Sequence, residues 1–329
     1  MKKISVLGAG SWGTTLALLL VRNGFTVTLW EFFEDYAQEM QKSGENTRFL
    51  PGALFPNNLN ITADLKKALN NANILVLAVP SHVLRSLLGK IQPLLSGAPI
   101  FVSVIKGIEQ NTLMCVNEVV EDTLGQQAFV ALSGPTHAEE VAKHIPSAIV
   151  AASTDISLAK TIQEVFTNVT FKVYTNPDLI GVEVGGSLKN VIALAAGISD
   201  GMGFGDNSKS AVMTRGLSEI TRLGVAMGAQ AQTFSGLSGI GDLITTCISK
   251  HSRNRYVGER LGQGESLSEI IDSMQMVAEG VNTTYSTYAL AHKLKIEMPI
   301  IEEMHKVLVD GKSPHKAVKD LLQRPLKTE

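Results

Sequence analysis

Residues 4–13 read ISVLGAGSWG, a short apolar run that ends in a glycine-rich turn. The apolar run predicts a β-strand, and the residues after the turn have helical spacing. In that context Gly8 permits a tight turn, Gly10 lets the backbone approach a pyrophosphate, and Gly13 lets the helix pack against the strand. The N–H groups at the helix start then favour phosphate. This stretch predicts a dinucleotide-binding turn; the alternative is a similar turn that binds no ligand.

Strand-like and helix-like segments alternate through the first half of the chain, which indicates βαβ units on a parallel sheet. The predicted strands are Ile4–Leu7, Phe25–Trp30, Ile74–Val79, Ile100–Val104, Phe129–Leu132, Ala148–Ala151 and Val169–Tyr174. They are almost continuously apolar, as expected when helices cover both faces of a sheet. We predict a Rossmann-type, doubly wound, mostly parallel α/β domain over residues 1–177.

The second half of the sequence predicts an all-α domain over residues 178–329. The predicted helices, separated by glycine-rich joints, lie around Asp178–Ile198, Lys209–Met227, Val281–Lys293 and Ile300–Val309. Such a domain would carry the substrate and the catalytic residues.

Composition excludes several classes of protein. The 29 Lys and Arg nearly balance the 31 Asp and Glu, which argues against a nucleic-acid binder but allows a small anionic ligand. The two cysteines, Cys115 and Cys247, form no pair or zinc motif, so we expect no metal and a reducing cytoplasm. No signal peptide and no membrane-inserted helix are expected.

The predicted second strand ends at Glu31, where an acidic residue commonly accepts the ribose 2′-hydroxyl of NAD. Phe32 and Phe33 follow and could flank the adenine. No Arg or Lys is within reach by sequence to meet a 2′-phosphate, so this segment favours NAD over NADP. The alternative is that Glu31 is a surface residue starting the next helix.

Lys189 is the strongest candidate for chemistry. It lies with Asn190 inside an otherwise apolar helix, where a lysine must reach water, pair with a carboxylate or lose its charge. A lysine whose pKa is lowered is a good proton donor for carbonyl reduction. The alternative is a lysine at the helix edge with its amine in water.

Two further segments lie at predicted strand ends, where ligands bind in α/β sheets. Lys106 follows one strand and is either a ligand contact or a solvated loop charge. Gly134 offers accessible backbone after another strand, and Thr136 could cap the next helix. Ser81 could cap the helix after a third strand, and His137 is more simply a bystander than a catalyst.

The last cluster lies in the helical half. Asp242, between glycines and apolar residues, needs a partner, and Lys189 is a natural one. Ser252 and Asn254 resemble helix-start residues with Arg253 beside them, a ready phosphate site or else a solvated polar turn. Glu279 could contribute a carboxylate to the cofactor.

Taken together, these motifs resemble the bacterial NAD(P)-dependent glycerol-3-phosphate dehydrogenase family over nearly the full chain. The matching segments include GAGSWGTTLA from Gly8, SGPTHA from Ser133, GSLKN from Gly186, GLSGIGDLITTC from Gly236 and SRNR from Ser252. So many motifs in the same order are highly specific.

The resemblance implies reversible reduction of dihydroxyacetone phosphate to glycerol 3-phosphate with NAD or NADP, for phospholipid synthesis, by a homodimer. Lys189 would be the proton donor and acceptor, and Arg253 would hold the phosphate. The implied substrate contacts are Lys106, Gly134, Thr136, Lys189, Asp242, Ser252, Arg253 and Asn254. Beyond the three glycines, the implied cofactor contacts are Ser11, Trp12, Phe32, Phe33, Lys106, Ala138, Arg253, Val277 and Glu279.

Two departures from the family bear on these expectations. Phe32 stands where relatives often have a basic or polar residue, which puts NADP preference in question. His137 stands where phenylalanine is common, and we expect a packing substitution. Alternative functions are another two-domain reductase, of hydroxyacid or ketopantoate type, and a non-catalytic dinucleotide-binding regulator.

Overall fold

The computed structural model describes residues 2–274, 278–326 and 328. The chain divides into two compact units. The first extends to Lys106 and resumes at Met114–Val182, while the second comprises Gly107–Leu113 and the chain from Glu183 onward. The division therefore lies between Val182 and Glu183, inside a helix, whereas the sequence analysis placed it at residue 177.

The first unit alternates strands and helices as predicted. Its strands are β1 (Lys3–Leu7), β2 (Thr26–Trp30), β3 (Glu45–Asn46), β4 (Leu50–Leu54), β5 (Leu59–Thr62), β6 (Ile74–Leu77), β7 (Ile100–Ser103), β8 (Phe129–Ser133), β9 (Ser147–Ala152) and β10 (Phe171–Asn176). Its helices are α1 (Ser11–Arg22), α2 (Glu34–Ser43), α3 (Leu65–Leu69), α4 (Leu84–Ile91), α5 (Val116–Leu124), α6 (Ala138–Ala142) and α7 (Ile156–Phe166).

The main sheet has the order β10-β9-β8-β7-β6-β1-β2-β5. Its strands pair in parallel except where β8 meets β9. The part from β5 to β8 has the strand order of a Rossmann fold, and the carboxyl ends of β1 and β2 lie side by side in it. The predicted fold class is confirmed.

The sequence analysis missed β3, β4 and β5. β4 reads LPGAL and is largely exposed, so it lacks the continuous apolar run of a central strand. β5 reads LNIT and lies at the edge of the sheet beside β2, with Asn60 exposed. Short, partly polar strands of this kind carry little periodic signal.

The core of this unit lies on the central strands. Every residue of β6 and of β8 is buried, because the strands are covered on both faces. Helix α1 is buried along most of its length and packs through Leu16, Leu19 and Leu20. Each fully buried leucine stabilises the fold by about 1.5–3 kcal/mol. The apolar packing therefore holds the glycine turn before α1 in one place.

The described part of the second unit is helical, as predicted. Helix α8 (Leu179–Gly201) begins in the first unit and continues into the second. The remaining helices are α9 (Asp206–Ala226), α10 (Asp242–Ile248), α11 (Arg253–Gly262), α12 (Leu267–Asp272), α13 (Glu279–Leu294), α14 (Pro299–Val309) and α15 (Pro314–Leu322).

Helix α8 is the core of the helical unit. Among the described residues it is the one helix long and apolar enough to cross a membrane by length and composition. However, 89% of its most apolar 18-residue stretch is buried inside the fold. Its length and composition are therefore weak evidence for a membrane span. Leu188, Val191 and Leu194 are each fully buried.

Helices α8 and α11 cross with their backbones in close approach. Glycines spaced four apart face each other at this crossing, Gly197 and Gly201 on α8 and Gly258 and Gly262 on α11. A Cβ added at any of these four would lie between 2.0 and 2.4 Å from a backbone oxygen of the other helix. The crossing fixes α11 against the C-terminal half of α8.

The glycine-rich joint before α10 is a regular helical turn. Residues Leu237–Gly241 form a single π-helical turn that leads directly into α10. A Cβ added at Gly239 would lie 2.1 Å from the Phe234 carbonyl oxygen. The glycines therefore allow tight packing before Asp242, the first residue of α10.

Candidate active site

The glycine turn of the first unit has the predicted geometry. Gly8 has a φ of +116°, and a Cβ there would lie 2.6 Å from the Ala78 carbonyl oxygen. A Cβ at Gly13 would lie 2.0 Å from the Gly8 oxygen, so α1 packs directly on the turn. Around Gly10, by contrast, no described atom lies within 4 Å of an added Cβ. Two glycines are required by the fold, and the third leaves open space.

The start of α1 suits an anionic ligand. Gly10 is the residue before the helix, no side chain among the described residues caps it, and its first turn has no acidic residue. Helix N-termini carry a partial positive charge and unsatisfied N–H groups. The open space at Gly10 and this helix start therefore fit the pyrophosphate of a dinucleotide.

The turn after β2 holds Glu31 in a buried position. Glu31 is 7% exposed, and its Oε1 accepts the N–H of Phe33 at 3.1 Å. Burial raises the pKa of the Glu31 carboxyl, and the backbone N–H groups that it accepts oppose this shift only in part. The alternative of a surface Glu31 is thus excluded, and part of its hydrogen-bonding capacity is used within the turn.

A lysine lies beside this turn in space although none is near in sequence. Phe32 and Phe33 are 58% and 60% exposed and contact each other edge to face, with ring centroids 5.0 Å apart. The amine of Lys90, near the end of α4, lies 5.1 Å from the centroid of the Phe32 ring. The sequence analysis considered only residues near in sequence, whereas the fold brings Lys90 of α4 to this segment.

Lys106, Gly134 and Thr136 come together as neighbours. The Lys106 amine donates to the Gly134 carbonyl oxygen at 3.3 Å, and the Thr136 hydroxyl donates to the same oxygen at 3.2 Å. Gly134 has a φ of +156°, and a Cβ there would lie 3.0 Å from the Ile149 Cα. Three of the residues implied as substrate contacts therefore form one cluster at the carboxyl ends of β7 and β8.

Two predicted caps are wrong. Helix α6 begins at Ala138 with His137 before it, and no side chain among the described residues caps it, because the Thr136 hydroxyl bonds to Gly134 instead. Ser81 lies inside a short 3₁₀ turn, and Val83 precedes α4. His137 is half-buried, and its expected role in packing stays a prediction. Ala138 accepts the Thr15 hydroxyl at 3.1 Å, which joins α6 to α1.

In the second unit Lys189 is buried, with 5% exposure, which excludes the alternative of an amine in water. Its amine forms an ion pair with Asp242, itself 1% exposed, and donates to the Thr246 hydroxyl at 2.7 Å. The Thr246 hydroxyl donates in turn to the Asp242 carbonyl oxygen at 2.7 Å. The Lys189–Asp242 pair that the sequence predicted is present, and it positions the amine.

A second polar group links three helices beside this pair. The Asn254 side chain donates to the Asn190 side-chain oxygen at 3.0 Å and accepts the Gly280 N–H at 2.9 Å. A Cβ at Gly280 would lie 2.6 Å from the Asn190 carbonyl oxygen. The start of α11, the middle of α8 and the start of α13 are therefore held together.

The start of α11 has the predicted form. The Ser252 hydroxyl accepts the Arg255 N–H at 3.2 Å and caps the helix. Arg253, the first residue of α11, is exposed, and Asn254 is buried. Glu279 is the first residue of α13, while Val277 lies outside the described residues.

Thr246 and Asn190 were not among the predicted site residues. Each has a signal in the sequence: Thr246 lies one helical turn after Asp242, and Asn190 adjoins Lys189 in an apolar helix. Cys247 is no candidate nucleophile, because burial raises the pKa of its thiol to about 12, against the opposing charge of Lys189. Among the described residues, no group of three or more His, Cys, Asp or Glu side chains could hold a metal ion.

Comparison with known proteins gives matches along the whole chain. The sequence profile described as the NAD-dependent glycerol-3-phosphate dehydrogenase N-terminus matches residues 3–159, and that of the C-terminus matches residues 178–319. A glycerol-3-phosphate dehydrogenase (NAD(P)+) from Citrifermentans bemidjiense is 50% identical over 331 residues, 100% of this chain and 99% of the relative. One from Syntrophotalea carbinolica is 50% identical and covers 99% of each chain.

Solved structures agree. A glycerol-3-phosphate dehydrogenase from Coxiella burnetii superposes with a TM-score of 0.95 at 40% identity, over 98% of this chain and 99% of the other. A ketopantoate reductase from Ralstonia eutropha has a TM-score of 0.62 at 15% identity, over 97% of this chain and 100% of the other. The second likeness shows a shared fold alone.

Proposed function

Because this chain belongs to the NAD(P)-dependent glycerol-3-phosphate dehydrogenase family, it is an oxidoreductase acting on a CH–OH group, and we propose that Lys189 is its proton donor. The reaction is reversible hydride transfer between NAD(P)H and dihydroxyacetone phosphate, which gives glycerol 3-phosphate. The observation that carries the proposed role is the burial of the Lys189 amine between Asp242 and Thr246.

We assign separate roles to the residues around Lys189. When bound, the nicotinamide cofactor supplies a hydride to the carbonyl carbon of the substrate. Lys189 gives a proton to the carbonyl oxygen, and the Asp242 carboxylate and Thr246 hydroxyl hold its amine in a single position. A positioned proton donor of this kind contributes about 10²–10⁴-fold to a rate.

The remaining contacts are proposed from the chemistry of the residues. Arg253, at the Ser252-capped start of α11, binds the substrate phosphate, because a guanidinium and a helix N-terminus both favour that anion. The cationic Lys106 stabilises the oxyanion that develops on the carbonyl oxygen. The glycine turn of the first unit binds the pyrophosphate of NAD or NADP, with Ser11 and Trp12 at the helix start.

The family resemblance further supports a homodimer in the cytoplasm that supplies glycerol 3-phosphate for phospholipid synthesis. These features belong to the proposal. Sedimentation of the purified protein tests the oligomeric state independently of catalysis.

Replacement of Lys189 tests the mechanism. We expect Lys189→Met to lower kcat with dihydroxyacetone phosphate and NADH by about 10²-fold or more, because the proton source is removed. The dissociation constant for NADH, measured by fluorescence titration, should stay within about twofold of the native value. Lys293→Met, at an exposed lysine of α13, is the matched control and should retain native kcat.

Stability has to be measured in parallel, because removal of one partner from a buried ion pair destabilises a fold. Lys189→Arg keeps the positive charge beside Asp242 but misplaces the proton, so it should fold normally and still lose kcat. Native turnover in a folded Lys189→Met protein would remove Lys189 from the proposed role. Absence of NAD(P)H oxidation by the native protein would favour a non-catalytic regulator.

A further inference from the structure

The turn after β2 differs from that of a strictly NAD-selective site. In such sites an acidic residue at the end of the second strand accepts the ribose 2′-hydroxyl and repels a 2′-phosphate. Here Glu31 is nearly fully buried, and its Oε1 bonds to the Phe33 N–H. One oxygen of this carboxylate is therefore held within the turn, and burial raises the pKa of the carboxyl.

The position of this turn in the fold connects it to the dinucleotide turn. The Gly8 N–H donates to the Trp30 carbonyl oxygen at 3.1 Å, so the end of β2 lies directly beside the glycine turn. The Phe32 ring contacts the Trp30 ring edge to face, with the ring centroids 6.1 Å apart. An exposed ring at this place in a Rossmann fold lies at the adenosine end of a bound dinucleotide.

Lys90 brings a positive charge to the same place. It belongs to the last turn of α4, and its amine lies 5.1 Å from the Phe32 ring centroid, a cation–π contact. Arg48 also acts on Glu31 by its charge, but it is ion-paired with Glu39 at 2.6 Å and stacked on the Tyr36 ring. Lys90 is therefore the better placed of the two to meet an added phosphate.

We propose that Lys90, held over Phe32, determines acceptance of NADP(H) by binding the adenosine 2′-phosphate. This inference rests on the proposed function, since it assumes that the glycine turn binds a nicotinamide dinucleotide. An ammonium beside a ring that faces adenosine supplies the charge that a 2′-phosphate needs, while contributing little to a 2′-hydroxyl.

Direct binding measurements test it. The Kd values for NADPH and NADH, which differ only by the 2′-phosphate, are measured on the full-length protein by isothermal titration calorimetry. We expect Lys90→Ala to raise the Kd for NADPH about tenfold and that for NADH less than about twofold. Lys90→Arg keeps the charge and should restore most of the NADPH affinity. Added salt screens the charge of Lys90, so it should reduce the difference between the Kd values for NADPH and NADH in the native protein.

Lys160→Ala is the matched control, because it removes one exposed positive charge from α7, which packs against β9 and β10 at the other end of the sheet. It should change neither Kd. Equal weakening of NADH and NADPH by Lys90→Ala, or no change in either, would overturn the role of Lys90 while leaving dinucleotide binding intact. If the native protein bound neither NADH nor NADPH, the proposed function itself would be overturned.

Discussion

At the scale of single residues, the glycine turn separates requirements of the fold from those of the ligand. Gly13 has no room for a side chain, since an added Cβ meets the Gly8 oxygen at 2.0 Å. Gly10 has an extended backbone, with a φ of −68° and a ψ of −179°, and open space around its Cα. Glycine is therefore required at the two positions for different reasons: at Gly13 by packing of the fold, and at Gly10 by the space that a ligand needs.

This difference predicts opposite results for two alanine variants. Gly10→Ala should leave the free energy of unfolding within about 0.5 kcal/mol of native, because alanine adopts this backbone without a clash. It should raise the Kd for NADH at least about tenfold, because the added methyl group occupies the space proposed for the pyrophosphate. Gly13→Ala should destabilise the protein by about 1–3 kcal/mol.

Urea denaturation and NADH titration measure the two effects separately. Native NADH affinity in Gly10→Ala would show that the open side of Gly10 does not face the cofactor. Native stability in Gly13→Ala would mean that α1 can shift away from the turn at little cost.

At the scale of elements, the crossing of α8 and α11 positions the polar residues of the helical unit. Lys189 and Asn190 lie on α8, and Arg253 and Asn254 begin α11. The close backbone approach leaves little freedom for α11 to slide along α8. The Arg255 guanidinium reinforces it through an ion pair with Asp200 at 2.7 Å.

We therefore expect Gly258→Ala to destabilise the protein by about 1–3 kcal/mol, because its Cβ would lie 2.0 Å from the Leu194 oxygen. It should also raise the KM for dihydroxyacetone phosphate, since the start of α11 has to move. Gly89→Ala in α4 is the matched control: its Cβ meets no described atom within 4 Å, so greater helix propensity should stabilise by about 0.5–1 kcal/mol. Equal effects of the two variants on urea denaturation would contradict the importance of the crossing.

At the scale of the whole molecule, a buried acid in the helical unit makes stability depend on pH. Glu219 of α9 is 3% exposed and accepts the N–H groups of Ile300 and Ile301, at 2.9 and 3.3 Å, so it caps α14 from another helix. Burial raises the pKa of its carboxyl from 4.5 to about 7, and these N–H groups oppose the shift only in part.

Because the folded state binds this proton more tightly than the unfolded state, the contribution of Glu219 to stability is full below about pH 4.5 and is lost as the pH rises through about 7. The loss amounts to about 3 kcal/mol at most. Glu219→Gln cannot ionise, so relative to native it should gain stability between about pH 5 and pH 8. Urea denaturation at about pH 5 and pH 8 measures the free energy of unfolding of both proteins. If that free energy changed with pH in the same way in both, the role of Glu219 would be refuted.

Prediction from sequence succeeded where a local pattern carries the physical cause. The strands of the sheet interior were found because they are continuously apolar, whereas the edge strand β5 and the exposed β4 were missed. Caps at Thr136 and Ser81 were predicted wrongly, because these residues have the right type but the observed turns use other donors and acceptors. Val277, a predicted cofactor contact, lies outside the described residues.

The sequence by itself determined the Rossmann architecture and the glycine turn, and it identified Lys189 as a charge inside an apolar helix. Each follows from steric limits on a few neighbouring residues, or from the cost of placing a charge among apolar ones. Only the tertiary structure decided that Thr246 accepts from Lys189, that α8 and α11 meet backbone to backbone, and that Lys90 lies over Phe32. Those contacts join residues distant in the chain, and their distances depend on how whole helices and strands pack.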